Sequence, residues 1–362
     1  MKQQWIIVWR DYLQATLYAC SQIRGFGTLW FIIAPAFCRL KYGIGARDFT
    51  IYQLPRVAIN DWSQFLRNEP FKHILASQAP ARGRQLTDDK LAFYQHCSYH
   101  HITTPAVICL LSQSDDAAAT VPNLNSANQL VQFLPDGRYF AKPQKGSHGQ
   151  HAFAFERQGD KVLLADGPCS IESFAARIFQ LIHRGIPMLV QPHVLNHPVI
   201  RQLTGSPHLS TIRVVSVIEQ GEVRAIGSFF RIICGQNQTD NFSHGTSGNL
   251  IAAVDVDNGR LLSTKQACNQ HWPIMTEVSQ HPETGVTLDN FVLPCWPQVL
   301  ATIAAVHKSM PFLKTVGWDI AVGIDAVWVV EANWRYDIDA LQVAHTKGFA
   351  AVIQPYYSPR GC

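Results

Sequence analysis

The sequence predicts an α+β fold built on mainly antiparallel sheets, preceded by a helical N-terminal extension. Three observations lead there. Segments of strand and helix character alternate without the regular strand–helix–strand order that a parallel sheet requires. The dipeptides Gly159-Asp160 and Gln220-Gly221 each separate two runs of strand character and so predict antiparallel hairpins. A chain of 362 residues with 47% hydrophobic content can bury one large core or two to three smaller ones.

Taken in order, residues 3–24 place Trp5, Ile6, Trp9, Leu13, Leu17 and Cys20 at near-helical spacing. Residues 26–38 are strongly apolar, but the run is too short to span a bilayer and Pro35 interrupts it. Together they predict a pair of helices packed on the main body; contact with a membrane surface or a partner is the other use such a face could serve. Arg39-Leu40-Lys41 is a poor cleavage site, so no secretory signal is expected. A helix follows over 90–99, with His100-His101 as its end rather than a ligand pair, and then a strand over 106–112. Residues 115–128 are polar and contain a Pro-Asn-Leu-Asn loop. Strands over 137–143, 152–156 and 162–165 form a small sheet, and the helix over 173–183 buries Phe174, Ile178, Phe179 and Ile182 on one face. A buried strand over 188–194 ends in a kink at Pro192. Strands over 212–218 and 222–230 pair as a hairpin, and 297–310 is an amphipathic helix. The expected divisions are 1–85, 86–136, 137–194 and 195–362.

Composition excludes more than it assigns. The net charge is +4 and only 15% of residues are charged, so no broad field favours nucleic acid. Arg10, Arg24, Arg39 and Lys41 are spread out rather than blocked together. Nine cysteines with no C-x-x-C spacing read as reduced, mostly buried thiols of a cytoplasmic protein, with membrane-peripheral placement as a variant of that reading. Fifteen histidines include no H-E-x-x-H, which leaves zinc chemistry little support.

The chemistry-bearing residues begin near the C-terminus. Gly317-Trp318-Asp319 precedes Glu331-Ala332-Asn333, with two apolar stretches between them and a turn at Ile324-Asp325-Ala326. In a hairpin with that three-residue loop Asp319 falls opposite Glu331, and Glu331 and Asn333 share a face. A slip of one residue would separate them. Two carboxylates and an amide oxygen in one place suit a hard cation such as Mg²⁺ shared with phosphate oxygens. The alternative is two solvated carboxylates and an asparagine that caps the next turn. Upstream, Lys142 lies on a short strand that runs into Gly146-Ser147-His148-Gly149, a lysine and glycine-loop pair able to hold phosphates. Gln191-Pro192-His193-Val194 ends the buried strand, and Arg213 stands alone in the apolar run over 210–215.

This succession resembles the ATP-grasp superfamily, and within it the sugar-transfer-associated branch related to glutamate ligases, over about Thr87 to Ala344. Asp240-Asn241-Phe242 with Gly245 and Gly248, His281-Pro282-Glu283-Thr284-Gly285 and Leu293-Pro294-Cys295-Trp296 add to the resemblance. It implies a nucleotide held between two mainly antiparallel sheets. By the resemblance, Lys90 and Lys142 contact the nucleotide, and residues 146–149 close over its phosphates. Gln191, Pro192, His193 and Val194 form the hinge that meets the adenine edge. Many relatives carry an acidic residue where Gln191 stands, so the backbone part of that role is what transfers. Arg213 stabilises the transferring phosphoryl group, with Lys142 and Arg231 beside it, and Asp319, Glu331 and Asn333 bind magnesium. Asn241, His244 and Arg335 are candidates for substrate contact. Thr246-Ser247 separates two glycines that are adjacent in many relatives. The implied activity is an ATP- and Mg²⁺-dependent joining of a small carboxylate to an amine through an acyl-phosphate, in surface-glycan or specialised-metabolite synthesis. A kinase of a sugar or polyol hydroxyl is the alternative, and a non-catalytic nucleotide-binding scaffold a second.

Overall fold

The computed structural model describes residues 2–22, 28–114, 120–146, 150–268, 272 and 274–357. Two seven-stranded sheets organise it. The first contains β1 (Cys109–Leu111), β2 (Asn123–Leu124), β3 (Gly137–Pro143), β4 (Phe153–Gln158), β5 (Lys161–Leu164), β6 (Gly167–Ser170) and β7 (Met188–Pro192), in the order β2-β1-β7-β3-β4-β5-β6. The second contains β8 (Ile212–Glu219), β9 (Glu222–Ile232), β10 (Leu250–Val254), β11 (Leu261–Ala267), β12 (Met275–Glu277), β13 (Thr315–Val322) and β14 (Val327–Asn333), in the order β12-β11-β10-β9-β8-β13-β14. All the pairings are antiparallel except β1 with β2. The α+β class with two mainly antiparallel sheets is therefore the observed one.

Helices cover the apolar faces. They are α1 (Lys2–Gln22), α2 (Thr28–Tyr42), α3 (Ala46–Ile51), α4 (Asn68–Gln78), α5 (Ala81–Asp88), α6 (Lys90–Tyr99), α7 (Ala127–Phe133), α8 (Ile171–His183), α9 (Pro198–Thr204), α10 (Trp296–Ser309), α11 (Asp339–His345) and α12 (Ala350–Ile353). On the first sheet, Phe174, Ile178 and Ile182 of α8 pack with Phe155, Val162 and Val190. On the second, Trp296, Val299 and Ile303 of α10 cover one face through Val214, Phe230 and Trp318. The other face meets Leu341 of α11 together with Phe49, Trp62 and Phe71 from the N-terminal region. Burying a side chain the size of Phe230 contributes roughly 2–3 kcal/mol. Ala15 and Ala19 of α1 and Ala34 and Cys38 of α2 join the same core cluster as Phe49, so the helical extension is present and packed on the body. Among the described residues no helix is long and apolar enough to cross a membrane.

Three local expectations change. The strand expected over 106–112 is shorter, running over Cys109–Leu111. The polar connection over 115–128 contains β2, which lies parallel to β1; residues 115–119 are outside the described set. Two residues of strand carry no periodicity, which is why the sequence does not announce it. In the β13–β14 hairpin Val322 pairs with Val327, so four residues turn the chain rather than three, and Gly323 N donates to Ala326 O at 2.8 Å. A bulge between Asp319 and Ile320 then shifts the register by one. The longer turn and the bulge cancel, and Asp319 still opposes Glu331.

Candidate active site

Arg213, Asp319 and Glu331 form one row across β8, β13 and β14, because Arg213 pairs with Asp319 and Asp319 with Glu331. Two positions further, Gly317 opposes Asn333. Alternation sends Trp318 and Ala332 to the core face, where both are buried, and leaves Asp319, Glu331 and Asn333 on the face that lines a cleft of about 920 Å³. Gly317 makes room for the row: a Cβ there would stand 2.8 Å from Tyr336 Cβ and 3.3 Å from Arg213 Cδ.

Charge is concentrated and paired at this row. Arg213 donates from Nε to Asp319 Oδ1 at 2.5 Å and from Nη2 to Oδ2 at 3.0 Å. Arg231, near the end of β9, brings Nη2 to 3.1 Å from Asp319 Oδ2 and donates from Nε to Asp240 Oδ2 at 3.1 Å. The three side chains of this Arg–Asp–Arg group are 10%, 6% and 14% exposed for Arg213, Asp319 and Arg231. Burial alone would raise the Asp319 carboxyl, but the two guanidiniums bring it down to about 2. Burial likewise opposes the charge on Arg231; Asp240 and Asp319 outweigh it and hold its pKa above the usual arginine value. Asp240 itself accepts from Thr211 N at 2.7 Å and from Thr211 Oγ1. It thereby aims Arg231.

The loop that carries Asp240 is tied from within. Asn249 donates from Nδ2 to Thr239 O at 2.9 Å and Asn241 O at 3.0 Å, and its Oδ1 accepts from Cys234 N at 3.0 Å. His281, outside the cleft, sets Nε2 3.0 Å from Ile233 O, and Glu283 accepts from Gly235 N at 3.0 Å. The His-Pro-Glu-Thr-Gly stretch therefore anchors the start of this loop. The inserted Thr246-Ser247 is accommodated by Ser247 Oγ donating to Phe242 O at 3.1 Å.

The first sheet supplies the opposing wall. On β3, Ala141 is in the core and Lys142 faces the cleft. Burial pushes the Lys142 ammonium down to about 8; Lys90 pushes the same way, while Glu331 and Asp319 pull upward. Lys90 opens α6, whose N-cap Asp89 accepts from Leu91 N at 3.0 Å and Ala92 N at 3.2 Å. Its Nζ lies 3.2 Å from Glu331 Oε1 and donates to Gly146 O at 2.7 Å, so one lysine touches both walls. Gly146 has φ +125°, a value only glycine holds without strain. Ser147, His148 and Gly149 lie outside the described residues.

At the hinge, Gln191 is buried and donates from Nε2 to Pro105 O at 2.8 Å, which gives its side chain a structural partner. Pro192, His193 and Val194 line the cleft. His193 Nδ1 and His208 Nδ1 are buried without hydrogen-bond partners among the described residues, with ring centroids 5.8 Å apart. Burial, with His208 beside it, lowers His193 to about 4, so the ring is neutral at pH 7.

The third group of expected residues sits at the far end. Asn241, His244 and Arg335 all line the cleft there. His244 Nδ1 is 2.9 Å from Asp339 Oδ2, and this hydrogen bond raises the His244 pKa against the opposing effect of burial. Arg335 Nη2 stands 3.9 Å from Glu69 Oε2. Here the sequence reading missed a contributor. α4 adds Asn68, Glu69 and Lys72, with Lys72 Nζ 2.5 Å from Asp337 Oδ1 and Asn68 Nδ2 donating to the same oxygen at 2.5 Å. On α4 these polar residues flank buried Phe71 and Leu75, a pattern that reads as an ordinary solvated helix face.

Asp319, Glu331 and Asn333 are the oxygen donors able to hold a hard cation at the row. Asp319 already spends both oxygens on guanidinium groups. Asn333 Nδ2 is buried without a partner among the described residues, so none of them fixes the amide from its nitrogen side against turning its oxygen to a cation. The donor set fits magnesium, with Glu331 and Asn333 as the less committed ligands.

Comparison with known proteins places this geometry in a family. The model for sugar-transfer associated ATP-grasp matches residues 74–355, which leaves out α4 through position 73 but takes in both sheets. Among solved structures the chain is similar to a D-cycloserine synthetase, at 12% identity and TM-score 0.38, covering 77% of this chain and 78% of that one. It is similar to D-alanine–D-alanine ligase from Bacillus anthracis, at 12% identity and TM-score 0.39, covering 75% and 67%. A third likeness is to L-amino acid ligase from Bacillus licheniformis, at 9% identity and TM-score 0.39, covering 76% of this chain and 48% of that one. No curated protein matches the chain. The family match spans well over half of the chain and contains Lys90, Lys142, Arg213, Asp319, Glu331 and Asn333: this protein belongs to the sugar-transfer-associated ATP-grasp family.

Proposed function

We propose that this protein is an ATP-dependent carboxylate–amine ligase that forms an amide through an acyl-phosphate. The observation that carries the reading is the convergence of Lys90, Lys142, Arg213 and Arg231, from both walls of one cleft, on the Asp319–Glu331 pair. A triphosphate is the kind of substrate that such a set of cations holds and that such a carboxylate pair completes with metal. Lys90 and Lys142 bind the phosphates, and the adenine edge meets the backbone of 191–194. A substrate carboxylate oxygen attacks the γ-phosphorus, the bond to the β-phosphate oxygen breaks, and ADP leaves. Arg213, with Arg231 and Lys142, stabilises charge on the moving oxygens. An amine nitrogen then attacks the activated carbonyl; inorganic phosphate departs and the nitrogen loses a proton. Magnesium, when held by Asp319, Glu331 and Asn333, neutralises charge on the phosphates. The far end of the cleft suits the two organic partners, with Arg335 for a carboxylate and Asp339 with His244 for an amine.

Lys142 gives the reading a pH signature. Only the protonated ammonium attracts phosphate, and burial holds it at about 8. Rising pH therefore weakens ATP binding, and the apparent KM for ATP rises about tenfold between pH 7 and 9. Lys142→Met raises KM at pH 7 by about tenfold and flattens this profile. Lys142→Arg, charged throughout, flattens it without that rise. A KM that Lys142→Met leaves unchanged removes this lysine from the nucleotide site.

The activity itself is tested by ADP release over a matrix of acids and amines, with the mass of any conjugate measured. A ligase releases phosphate only when both partners are present. Phosphate found on a hydroxyl of the substrate would make the protein a kinase instead.

A further inference from the structure

The N-terminal hairpin presents a surface that the cleft does not use. On α1, Trp9, Leu13 and Leu17 recur every four residues and stay exposed, Trp9 at 72%. The opposite side of α1 is spent on the core through Ala15 and Ala19. On α2, Ile32, Ile33 and Leu40 are exposed in the same manner, Leu40 at 88%, while Ala34 and Cys38 face inward. Thr16 Oγ1 donates to Ile32 O at 3.4 Å, which sets Ile32 beside the turn that carries Leu13 and Leu17. The two stripes thus adjoin. A surface this apolar on a folded chain marks something that covers it.

Charge selects what that is. Lys2, Arg10, Arg24, Arg39 and Lys41 against Asp11 alone give positions 1–42 a net of +4, equal to that of the whole chain, so positions 43–362 are neutral. Arg10 borders the α1 stripe and Arg39 the α2 stripe, and both are exposed. A second copy would set +4 against +4 and is disfavoured. An anionic surface is attracted, and aromatic and leucine side chains beside arginines are what lie at a lipid interface. Neither helix can span a bilayer, α2 having 15 residues with Pro35 inside it. We infer that the α1–α2 hairpin docks this protein peripherally on a membrane rich in anionic lipid, with Trp9, Leu13, Leu17 and Leu40 entering the interface and Arg10, Arg39 and Lys41 at the headgroups. The inference does not depend on the reaction proposed above.

The test is co-sedimentation of the full-length protein with vesicles of phosphatidylcholine alone or with about 30% phosphatidylglycerol, at low and high salt. Binding to the anionic vesicles, weakened by salt, is the expected result. The triple variant Trp9→Ser, Leu13→Ser, Leu17→Ser reduces partitioning roughly tenfold or more, and Arg39→Glu with Lys41→Glu does so to a similar extent. All five positions are exposed or partly so, and an unchanged thermal midpoint shows that each variant is folded. Equal binding to both vesicle types, or wild-type binding by both variants, overturns the inference. So does a concentration-dependent dimer in sedimentation equilibrium that the triple variant abolishes, since the face would then be a contact between copies.

Discussion

Replacing Glu331 with glutamine is expected to lower kcat for ADP formation by about 10²–10³-fold while leaving the fold intact. The change keeps the shape and removes one negative charge from the row that, in the proposed reaction, faces the phosphates. The Glu331 side chain is 28% exposed and pairs with Lys90 at 3.2 Å, so solvent screening keeps the loss of stability below about 1 kcal/mol. The consequence falls on the reaction: Glu331 is less committed than Asp319 and so supplies more of what a cation needs. The variant also requires more magnesium to reach half its maximal rate. Steady-state turnover over a magnesium series, beside a thermal melt, checks both. Unchanged turnover would show that the carboxylate pair does not serve the phosphates.

Asp319→Asn is expected to cost about 3–5 kcal/mol of stability at pH 7, as well as activity. The difference from Glu331 is burial. Arg213 and Arg231 would keep their charges in a nearly closed environment, with Asp240 still paired to Arg231. The pH dependence has a definite sign. The folded protein holds the Asp319 carboxyl at about 2, below its ordinary 3.8. Its stabilising effect is therefore complete above the ordinary value and is lost as pH falls through about 2. The variant's deficit is constant near neutrality and shrinks in acid. Urea midpoints of the two proteins between pH 7 and 3 measure it. Equal midpoints at pH 7 would mean that the two arginines do not rely on this carboxylate.

Local pattern made part of this protein legible. Apolar alternation around Trp318 and Ala332 places Asp319, Glu331 and Asn333 on one side of a hairpin, and the strand around Lys142 exposes the lysine on the face opposite Ala141. The register came out as expected although the turn is one residue longer, because a bulge absorbs the difference. Such features lie within a few residues of one another, where strand geometry leaves few choices.

What the tertiary structure alone decided is how charges separated by long stretches of chain find each other. Arg213 meets Asp319 across 106 positions, Lys90 joins Glu331 to the carbonyl of Gly146, and Asn68, Glu69 and Lys72 of α4 reach the far end of the cleft from outside the stretch that matches the family. No periodicity encodes these contacts, because a charged residue on an amphipathic helix or an isolated arginine in a strand has the same local pattern whether it meets water or a buried partner. Packing of the two sheets removes the water and chooses the partner, and with it which charges are left to meet a substrate.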